Sequence, residues 1–362
     1  MAATSMTSPP AQALESQLTK AWPPSSWQES HVVLAVSGGA DSVAMLRATL
    51  AVKHQCRGRG RLFVAHLNHG WRAADADADQ HWLESLCRRL DVPLETGRID
   101  VQALAAADHD GLEAAARNAR YEFLARTAEK LGARFVAVAH TADDQVETVL
   151  HRILRGTGLA GLAGMRFSRP LAPSVALVRP LLSVRRPEVL EYLDAIGQDY
   201  RVDRTNIDTR WTRNRLRHEL LPLLRERYNA RVDDALLRLA AQADQSQQVV
   251  AELAERLARE CLVVEAAPQP GGDRRAIRLQ LDCRPLQAIP PLLAREVCKI
   301  AWRGANWPMQ AMGYEAWQQL AELIQKRPGD AANLPGNVRA RRENDWLVLR
   351  SHSAGNVSSP GS

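Results

Sequence analysis

Six small or polar residues with the sequence SGGADS stand between a short apolar run and a helical pattern. The run Val32–Val36 is rich in β-branched side chains, which is typical of a buried parallel strand, and helical spacing begins at Val43. Glycines let backbone N–H groups turn toward an anion, and the positive end of a helix dipole attracts the same charge. The segment therefore predicts a loop that binds phosphate groups, formed by Ser37, Gly38, Gly39, Ala40, Asp41 and Ser42.

Asp41 places a carboxylate inside this predicted anion site. Phosphate oxygens repel a carboxylate unless a cation lies between them, so Asp41 predicts Mg²⁺ beside the phosphates. The loop is not a Walker A motif, because no Gly-Lys-Ser or Gly-Lys-Thr follows it. The alternative interpretation of the same residues is a Gly-Gly turn capped by serine, without a ligand.

A second group of titratable residues follows the predicted strand Arg134–Ala139. Ligands bind at the carboxyl ends of parallel strands, so we expect His140 to contact the nucleotide there. Asp144 and Glu147 are three residues apart on one helix face, which predicts a site for an ammonium group or a metal ion. Asp143 is a second candidate metal ligand. The alternative is that the aspartates only stabilise the helix N-terminus, each by about 0.3–1 kcal/mol.

Further polar side chains are expected near the same edge of the sheet. Arg117 and Arg120 lie close together on the predicted helix at 112–131, where either could reach a phosphate or a developing oxyanion. A solvated helix face is the alternative for this pair. His66 and Asn68 end the second predicted strand and are expected to line the nucleotide pocket.

Strand and helix patterns alternate along the first part of the chain, and this predicts an α/β fold with a doubly wound parallel sheet. After about Arg217 the pattern becomes mainly helical, with strands expected only near 277–281 and 346–349. The second domain is therefore predicted to be smaller, mostly helical and of the α+β class. The expected organisation is a flexible extension at 1–30, a catalytic domain at 31–225, a second domain at 226–350 and a tail at 351–362.

Composition limits the class of protein. The chain has 362 residues and a net charge of +6, and only five of its 47 basic residues are lysines. Arginine suits contacts with phosphate, so nucleic acid is one expected partner, although a general bias toward arginine explains the composition equally well. No apolar run is long enough to span a membrane. Five widely spaced cysteines without a C-x-x-C pair predict a reducing, cytoplasmic location.

The motifs occur in an order that resembles the tRNA(Ile)-lysidine synthetases, a family of ATP pyrophosphatases with a PP-loop. HTADDQVET at 140–148, joined to RGTGLAGLAGM at 155–165, is close to specific for that family, whereas SGGADS marks the wider superfamily. The resemblance covers roughly 31–225. It is carried in addition by HLNHGWR at 66–72, the stretch Glu113–Tyr121, RPLL at 179–182 and the arginine-rich stretch 203–217.

The resemblance implies that ATP, with Mg²⁺, adenylates the oxygen on carbon 2 of the wobble cytidine in tRNA(Ile) with a CAU anticodon. The amine of free L-lysine would then displace AMP and form lysidine. Catalytic roles would fall on Asp41, Arg117, Arg120, Asp144 and Glu147, with Asp144 and Glu147 also binding lysine. The second domain would contact tRNA, together with Arg152, Arg155, Arg166, Arg204, Arg213, Arg215 and Arg217.

Alternatives from other classes remain at this point. Another PP-loop enzyme, such as a tRNA thiolase or a small-molecule amide synthetase, would need paired cysteines or an ammonia source, and neither pattern is present. A non-catalytic RNA-binding module would leave the acidic residues without a role. The proton acceptor for the amine and the oligomeric state stay open, with a homodimer as one arrangement. Longer family members carry an additional C-terminal domain, so a shorter form is expected.

Overall fold

The computed structural model describes residues 8–68, 73–99, 112–202, 212–267 and 276–351. The chain divides into two compact units, residues 1–243 and residues 244–362. The division falls inside one long helix, Val232–Cys261, and therefore lies beyond the boundary at 225 that the change in sequence pattern suggests. The predicted tail lies outside the described residues from 352 onward.

The first unit is built around a six-stranded sheet with the order β3-β2-β1-β4-β6-β5. Its strands are β1 (His31–Ala35), β2 (Leu62–Asn68), β3 (Leu94–Arg98), β4 (Ala133–Val138), β5 (Ser168–Ala172) and β6 (Val175–Val178). All neighbouring strands are parallel except β5, which pairs antiparallel with β6. Its helices are α1 (Pro9–Ala21), α2 (Ala40–Gln55), α3 (Ala73–Arg89), α4 (Leu112–Lys130), α5 (Ala142–Leu154), α6 (Leu159–Leu162), α7 (Arg186–Ala195), α8 (Thr212–Arg215) and α9 (Leu221–Arg227).

Helices cover both faces of this sheet, as the doubly wound prediction requires. Successive side chains of β1 point to opposite faces. Val32 and Leu34 pack with α1, α2 and α7 on one face, and Val33 and Ala35 pack with α4 on the other. The carboxyl ends of β1, β2, β4 and β6 lie at one edge of the sheet, and the candidate site residues follow these ends. The predicted fold class is confirmed.

The N-terminal region differs from the prediction. Helix α1 lies within residues 1–30, and Leu14, Leu18, Trp22 and Trp27 are each at most 2% exposed. The rings of Trp22 and Phe135 meet edge to face at 5.7 Å, which packs this region against β4. The expectation of a flexible extension is therefore wrong from Pro9 onward, because a helical spacing of apolar residues is hidden among Ser, Thr, Ala and Pro.

The second unit contains a five-stranded antiparallel sheet with the order β7-β8-β11-β10-β9. The strands are β7 (Leu262–Ala267), β8 (Ala276–Asp282), β9 (Ala331–Leu334), β10 (Val338–Glu343) and β11 (Trp346–Ser351), and the helices are α11 (Pro291–Gly304) and α12 (Tyr314–Glu322). Val232–Cys261 is α10 and extends into this unit. The α+β class is confirmed, but the sheet has more strands than predicted. One strand that the sequence pattern misses is β10, in which arginines alternate with small apolar residues.

Aromatic residues form the centre of the second unit. Trp302 is fully buried, and its ring meets those of Trp307 and Trp317 edge to face at 4.9 and 5.6 Å. No helix among the described residues is long and apolar enough to cross a membrane.

Candidate active site

The predicted phosphate loop follows β1 and leads directly into α2. Gly38 has a φ of +95°, which favours glycine, and its carbonyl accepts a hydrogen bond from the backbone N–H of Arg201 at 2.9 Å. Ser42 Oγ donates to the Gly39 carbonyl at 2.8 Å and accepts from the backbone N–H of Ser37 at 3.2 Å. The loop therefore holds the N-terminus of α2 at the carboxyl end of β1, which is the geometry that binds phosphate.

Asp41 has one paired oxygen and one buried oxygen without a partner. Its Oδ2 accepts from Nη1 of Arg186 at 2.6 Å, whereas Oδ1 has no hydrogen-bond partner among the described residues. Asp143 lies nearby, because its Oδ2 accepts from the backbone N–H of Arg186 at 2.8 Å. Burial raises the pKa of Asp41, against the lowering effect of Arg186. The two predicted metal ligands, Asp41 and Asp143, thus share Arg186 as a hydrogen-bond donor. Asp41 Oδ1 is left able to accept a cation.

The predicted lysine-binding carboxylates are held by two arginines. Glu147 is 2% exposed, and its Oε1 and Oε2 accept from Nε of Arg217 at 2.5 Å and Nε of Arg213 at 2.9 Å. Asp144 Oδ1 accepts from Nη2 of Arg213 at 3.0 Å. Arg186 bonds both Asp41 and Asp143, and Asp143 precedes Asp144 in the chain, so the acidic pair lies near the phosphate loop.

Asp144 also helps to cap the N-terminus of the helix that carries it. Its Oδ2 accepts from the backbone N–H of Thr141 at 2.9 Å, and Thr141 Oγ1 accepts from the backbone N–H of Asp144, which together form a capping box for α5. Burial alone would raise the pKa of Asp144, but Arg213 and the bond from Thr141 outweigh it, so the pKa is lowered. The lowered pKa favours the ionised carboxylate, so Asp144 stabilises the helix N-terminus, and its binding of an ammonium group stays a prediction.

Burial disfavours the charged form of both histidines at the sheet edge. His140 Nδ1 accepts from Nε of Arg179 at 3.1 Å, and burial lowers the pKa of His140 to about 3, with further lowering by Arg179 and Arg120. His66 Nδ1 bonds the Val36 carbonyl at 2.9 Å, and burial lowers its pKa too. The carbonyl can only accept, so Nδ1 of His66 carries the proton and Nε2 is an acceptor. Asn68 is buried and donates to Asp77 Oδ1 at 3.1 Å.

Arg117 and Arg120 do not both lie in solvent. Arg117 is exposed and stacks on the ring of Tyr121, with 5.3 Å from Cζ to the ring centroid. Arg120 is half-buried, and burial lowers its pKa. Its charge lowers the pKa of both His66 and His140, the two predicted nucleotide-pocket histidines at the ends of β2 and β4. Of the two, Arg120 is nearer to the histidines of the predicted nucleotide pocket.

The predicted tRNA-binding arginines fall into different environments. Arg213 and Arg217 pair with Asp144 and Glu147, and Arg152 Nη1 donates to the carbonyls of Gly161 and Gly164 at 2.9 and 2.7 Å. Three of the remaining residues are exposed, and Arg204 lies outside the described residues. The exposed arginines, for which tRNA contact stays a prediction, are Arg155, Arg166 and Arg215.

Gln145 anchors the glycine-rich segment at 155–165. Its Nε2 donates to the carbonyls of Ala163 and Met165 at 3.3 and 3.1 Å, and its Oε1 accepts from the Met165 backbone N–H at 2.8 Å. Gly164 has a φ of +68° and lies against this amide. The segment is therefore fixed to α5, the helix that carries the acidic pair.

We expect Gly164→Ala to loosen this segment. The added Cβ would lie 2.5 to 2.8 Å from the Gln145 amide, whose bonds prevent it from moving aside. The expected loss is about 1–3 kcal/mol of unfolding free energy, measured by urea denaturation. Gly156→Ala is the matched control, because Gly156 has a φ of +74° but nothing within 4 Å of an added Cβ. Equal losses in both variants would mean that the contact with Gln145 has no energetic weight.

Sequence reasoning did not assign several residues that the structure places at the site. Arg186 contacts Asp41 and Asp143, and Arg179 contacts His140. RPLL at 179–182 was a motif without a role, so Arg179 could have been singled out on that signal. Arg186 has no sequence signal, because its partners are distant in the chain.

A family profile described as a PP-loop domain matches residues 10–224. A tRNA(Ile)-lysidine synthase from Rhodopirellula baltica is 34% identical over 340 residues, which cover 86% of this chain and 84% of that protein. The chain belongs to the tRNA(Ile)-lysidine synthase family. The PP-loop domain of this lysidine synthase family member implies the use of ATP.

Other lysidine synthases are longer than this chain. The protein from Geobacter sulfurreducens is 41% identical over 233 residues, covering 64% of this chain and 48% of that protein. The one from Dehalococcoides mccartyi is 39% identical over 308 residues, covering 84% and 63% respectively. This family member thus spans about half to under two thirds of the length of these two relatives.

A solved U34-tRNA thiolase from Methanococcus maripaludis shares the fold of the lysidine synthase family member. It superposes with a TM-score of 0.52 at 16% sequence identity, covering 64% of this chain and 78% of that one. At this identity the likeness concerns the fold alone.

Proposed function

We propose that this family member joins L-lysine to carbon 2 of the wobble cytidine of tRNA(Ile) with a CAU anticodon. The observation that supports this reaction is that Arg186 joins Asp41 of the phosphate loop to Asp143 on α5, the helix that also carries Asp144 and Glu147. An anion site at the loop and a site for an ammonium group on α5 would then be next to each other. An enzyme that joins an amine to a phosphate-activated carbon needs this arrangement.

The reaction has two steps. The oxygen on carbon 2 of the cytidine attacks the α-phosphorus of ATP, and pyrophosphate leaves with the electron pair of the broken P–O bond. The lysine amine then attacks carbon 2, and the C–O bond to AMP breaks. The N-terminus of α2 and the Ser37 and Ser42 hydroxyls would hold the phosphates, and Arg120 would stabilise developing charge.

Asp41 and Asp143 would hold Mg²⁺ beside the phosphates. The fit rests on Asp41 Oδ1, a buried carboxylate oxygen without a partner among the described residues. Mg²⁺ typically takes one or two carboxylates and completes its ligands with phosphate oxygens and water. When bound, it would neutralise charge on the departing pyrophosphate.

Asp144 and Glu147 would receive the lysine ammonium group in place of one guanidinium. Each of the four carboxylate oxygens already accepts a hydrogen bond from Arg213, Arg217 or Thr141. An ammonium group carries the same charge as the guanidinium that it replaces, so the buried Glu147 is never left without a cation.

The pH dependence of lysine attack identifies where the amine proton goes. A lysine amine has a pKa of about 10.4, so little of it is free at neutral pH. His140, with its pKa lowered to about 3, and Asp144, with its pKa lowered by Arg213, are weak bases. We expect kcat/KM for lysine to rise about tenfold per pH unit from about pH 6 to 9. A flat profile would instead mean that a group on the protein takes the proton.

The direct experiment supplies tRNA(Ile) transcript, ATP, Mg²⁺ and isotope-labelled lysine, followed by mass spectrometry of the nucleosides. A cytidine that gains the labelled lysine, with one AMP and one pyrophosphate released for each, is the expected result. Transcripts in which the wobble cytidine is changed should give no labelled nucleoside. Pyrophosphate release without a labelled nucleoside would contradict the proposed acceptor.

A tRNA thiolase is the second candidate, because a protein with that activity shares the fold. Burial raises the pKa of Cys87, Cys261 and Cys283 to about 11, so their thiolates are disfavoured at neutral pH. These three buried cysteines are therefore poorly suited to sulfur transfer.

A further inference from the structure

Four arginines surround Tyr121 at the carboxyl edge of β4 and β6. Cζ of Arg117 lies 5.3 Å, and Cζ of Arg169 lies 4.7 Å, from the centroid of its ring. Arg120 and Arg179 act electrostatically on the same side chain. We call Arg117, Arg120, Arg169 and Arg179 the arginine cluster.

No member of the arginine cluster pairs with a carboxylate in the part of the chain that the structure describes. Arg179 is 3% exposed, yet it donates only to neutral acceptors, including His140 Nδ1 at 3.1 Å and the Arg166 carbonyl at 2.6 Å. Arg169 donates to the Pro170 carbonyl at 3.2 Å. This contrasts with Arg213 and Arg217, whose charges are balanced by the acidic pair.

The cluster therefore carries excess positive charge in a partly buried place. Burial lowers the pKa of Arg120 and of Arg179. Burial would raise the pKa of Tyr121, but the four guanidiniums outweigh it and lower that pKa. Like charges held close together are destabilising unless an anion joins them. The guanidinium group is suited to phosphate, which it can hold with two parallel hydrogen bonds.

The cluster extends away from the phosphate loop, with Arg169 as its most distant member. The loop follows β1, whereas Arg169 lies on β5, which is three strands away in the sheet. At about 4.8 Å between neighbouring strands, the separation is roughly 14 Å. The loop also leads into α2 on one face of the sheet, whereas Arg117 and Arg120 lie on α4, which packs on the other face. One phosphate held by Ser37–Ser42 cannot reach Arg169.

We propose that the arginine cluster binds the phosphodiester backbone of the substrate RNA next to the reacting nucleotide. The proposal rests on the proposed function for the identity of that RNA. A polyanion that enters at the carboxyl edge would contact the cluster on the α4 face while its reacting base approaches the phosphate loop. Phosphate contacts of this kind position the RNA without selecting its sequence.

The test is the salt dependence of tRNA binding by an Arg117→Ala/Arg169→Ala double variant. Each lost phosphate contact reduces the slope of log K against log salt by about 0.7 to 0.9, so the expected reduction is roughly 1.4 to 1.8. Arg126→Ala is the matched control, because Arg126 lies on α4 nine residues from Arg117, on the opposite side, and pairs with Glu122. The control should keep the parent slope. The melting temperature of the double variant should not fall, because repulsion is removed.

An unchanged slope in the double variant would overturn the proposal, whether or not the melting temperature falls. A second arm measures inhibition by inorganic pyrophosphate and the KM for ATP. If these change while the tRNA slope does not, the ligand is a polyphosphate and the RNA assignment is wrong. Repeating the binding with an unrelated RNA hairpin separates this proposal from the proposed function. A reduced slope with that hairpin supports phosphate binding by the arginine cluster even if no lysidine is formed.

Discussion

Replacing Asp41 by Asn is expected to slow Mg²⁺-dependent pyrophosphate release strongly while the protein stays folded. Asparagine can still accept a hydrogen bond from Arg186, but it removes the charge on the one loop carboxylate with an unpartnered buried oxygen. Loss of a metal ligand costs several kcal/mol of transition-state stabilisation, so the rate should fall on the order of 100-fold or more. Pyrophosphate release with saturating tRNA and ATP over a range of Mg²⁺ concentrations measures it.

The control for Asp41→Asn is Asp194→Asn, an exposed aspartate on α7. It should leave both the rate and the Mg²⁺ requirement unchanged. Partial recovery of Asp41→Asn at high Mg²⁺ would agree with a weakened metal site. A normal rate at every Mg²⁺ concentration, with an unchanged melting temperature, would show that the Asp41 carboxylate is not a ligand.

Glu147→Gln is expected to raise the KM for lysine about 10- to 100-fold and to leave the KM for ATP nearly unchanged. The substitution removes a charge-assisted hydrogen bond, which is worth about 1.5–3 kcal/mol. It also removes one of the two carboxylates that Arg213 and Arg217 share, and Asp144 is the other. Because those arginines are about one third exposed, we expect a loss of roughly 1–3 kcal/mol of unfolding free energy.

Both effects of Glu147→Gln can be measured on one preparation, by lysine titration and by urea denaturation. Glu122→Gln on α4 is the control, since Glu122 forms an exposed ion pair with Arg126 that contributes little. A lysine KM that stays normal while stability falls would assign Glu147 to the fold alone. The lysine site would then have to be sought elsewhere on the sheet edge.

The phosphate loop could be predicted from sequence because its determinants are local. Two glycines, two serines and Asp41 are adjacent in the chain, and the strand before them and the helix after them have clear patterns. The same holds for the helix position of Asp144 and Glu147. The ion pairs of these carboxylates with Arg213 and Arg217 could not be predicted. The arginines are 66 to 70 residues away from Glu147 in the chain and meet it only after the sheet has formed.

The regions where the sequence prediction differs from the structure have a related cause. Helix α1 has few apolar residues, and Leu14 and Leu18 become informative only once the sheet face that they cover is known. In the second unit, β10 alternates arginine with valine and alanine, so hydropathy alone does not separate it from a loop. The arginine cluster likewise joins residues of α4, β5 and the end of β6. Charge balance across such distant segments cannot be read from composition.

The capping box at the start of α5 has a consequence for any attempt to alter which amine is accepted. Asp144 closes the first turn of the helix through Thr141 and at the same time lies in the pocket proposed for the incoming amine. Selectivity and helix stability are therefore coupled at this position. Most substitutions at Asp144 would remove the capping box and weaken the start of α5. Amine selectivity is therefore better redesigned at neighbouring positions.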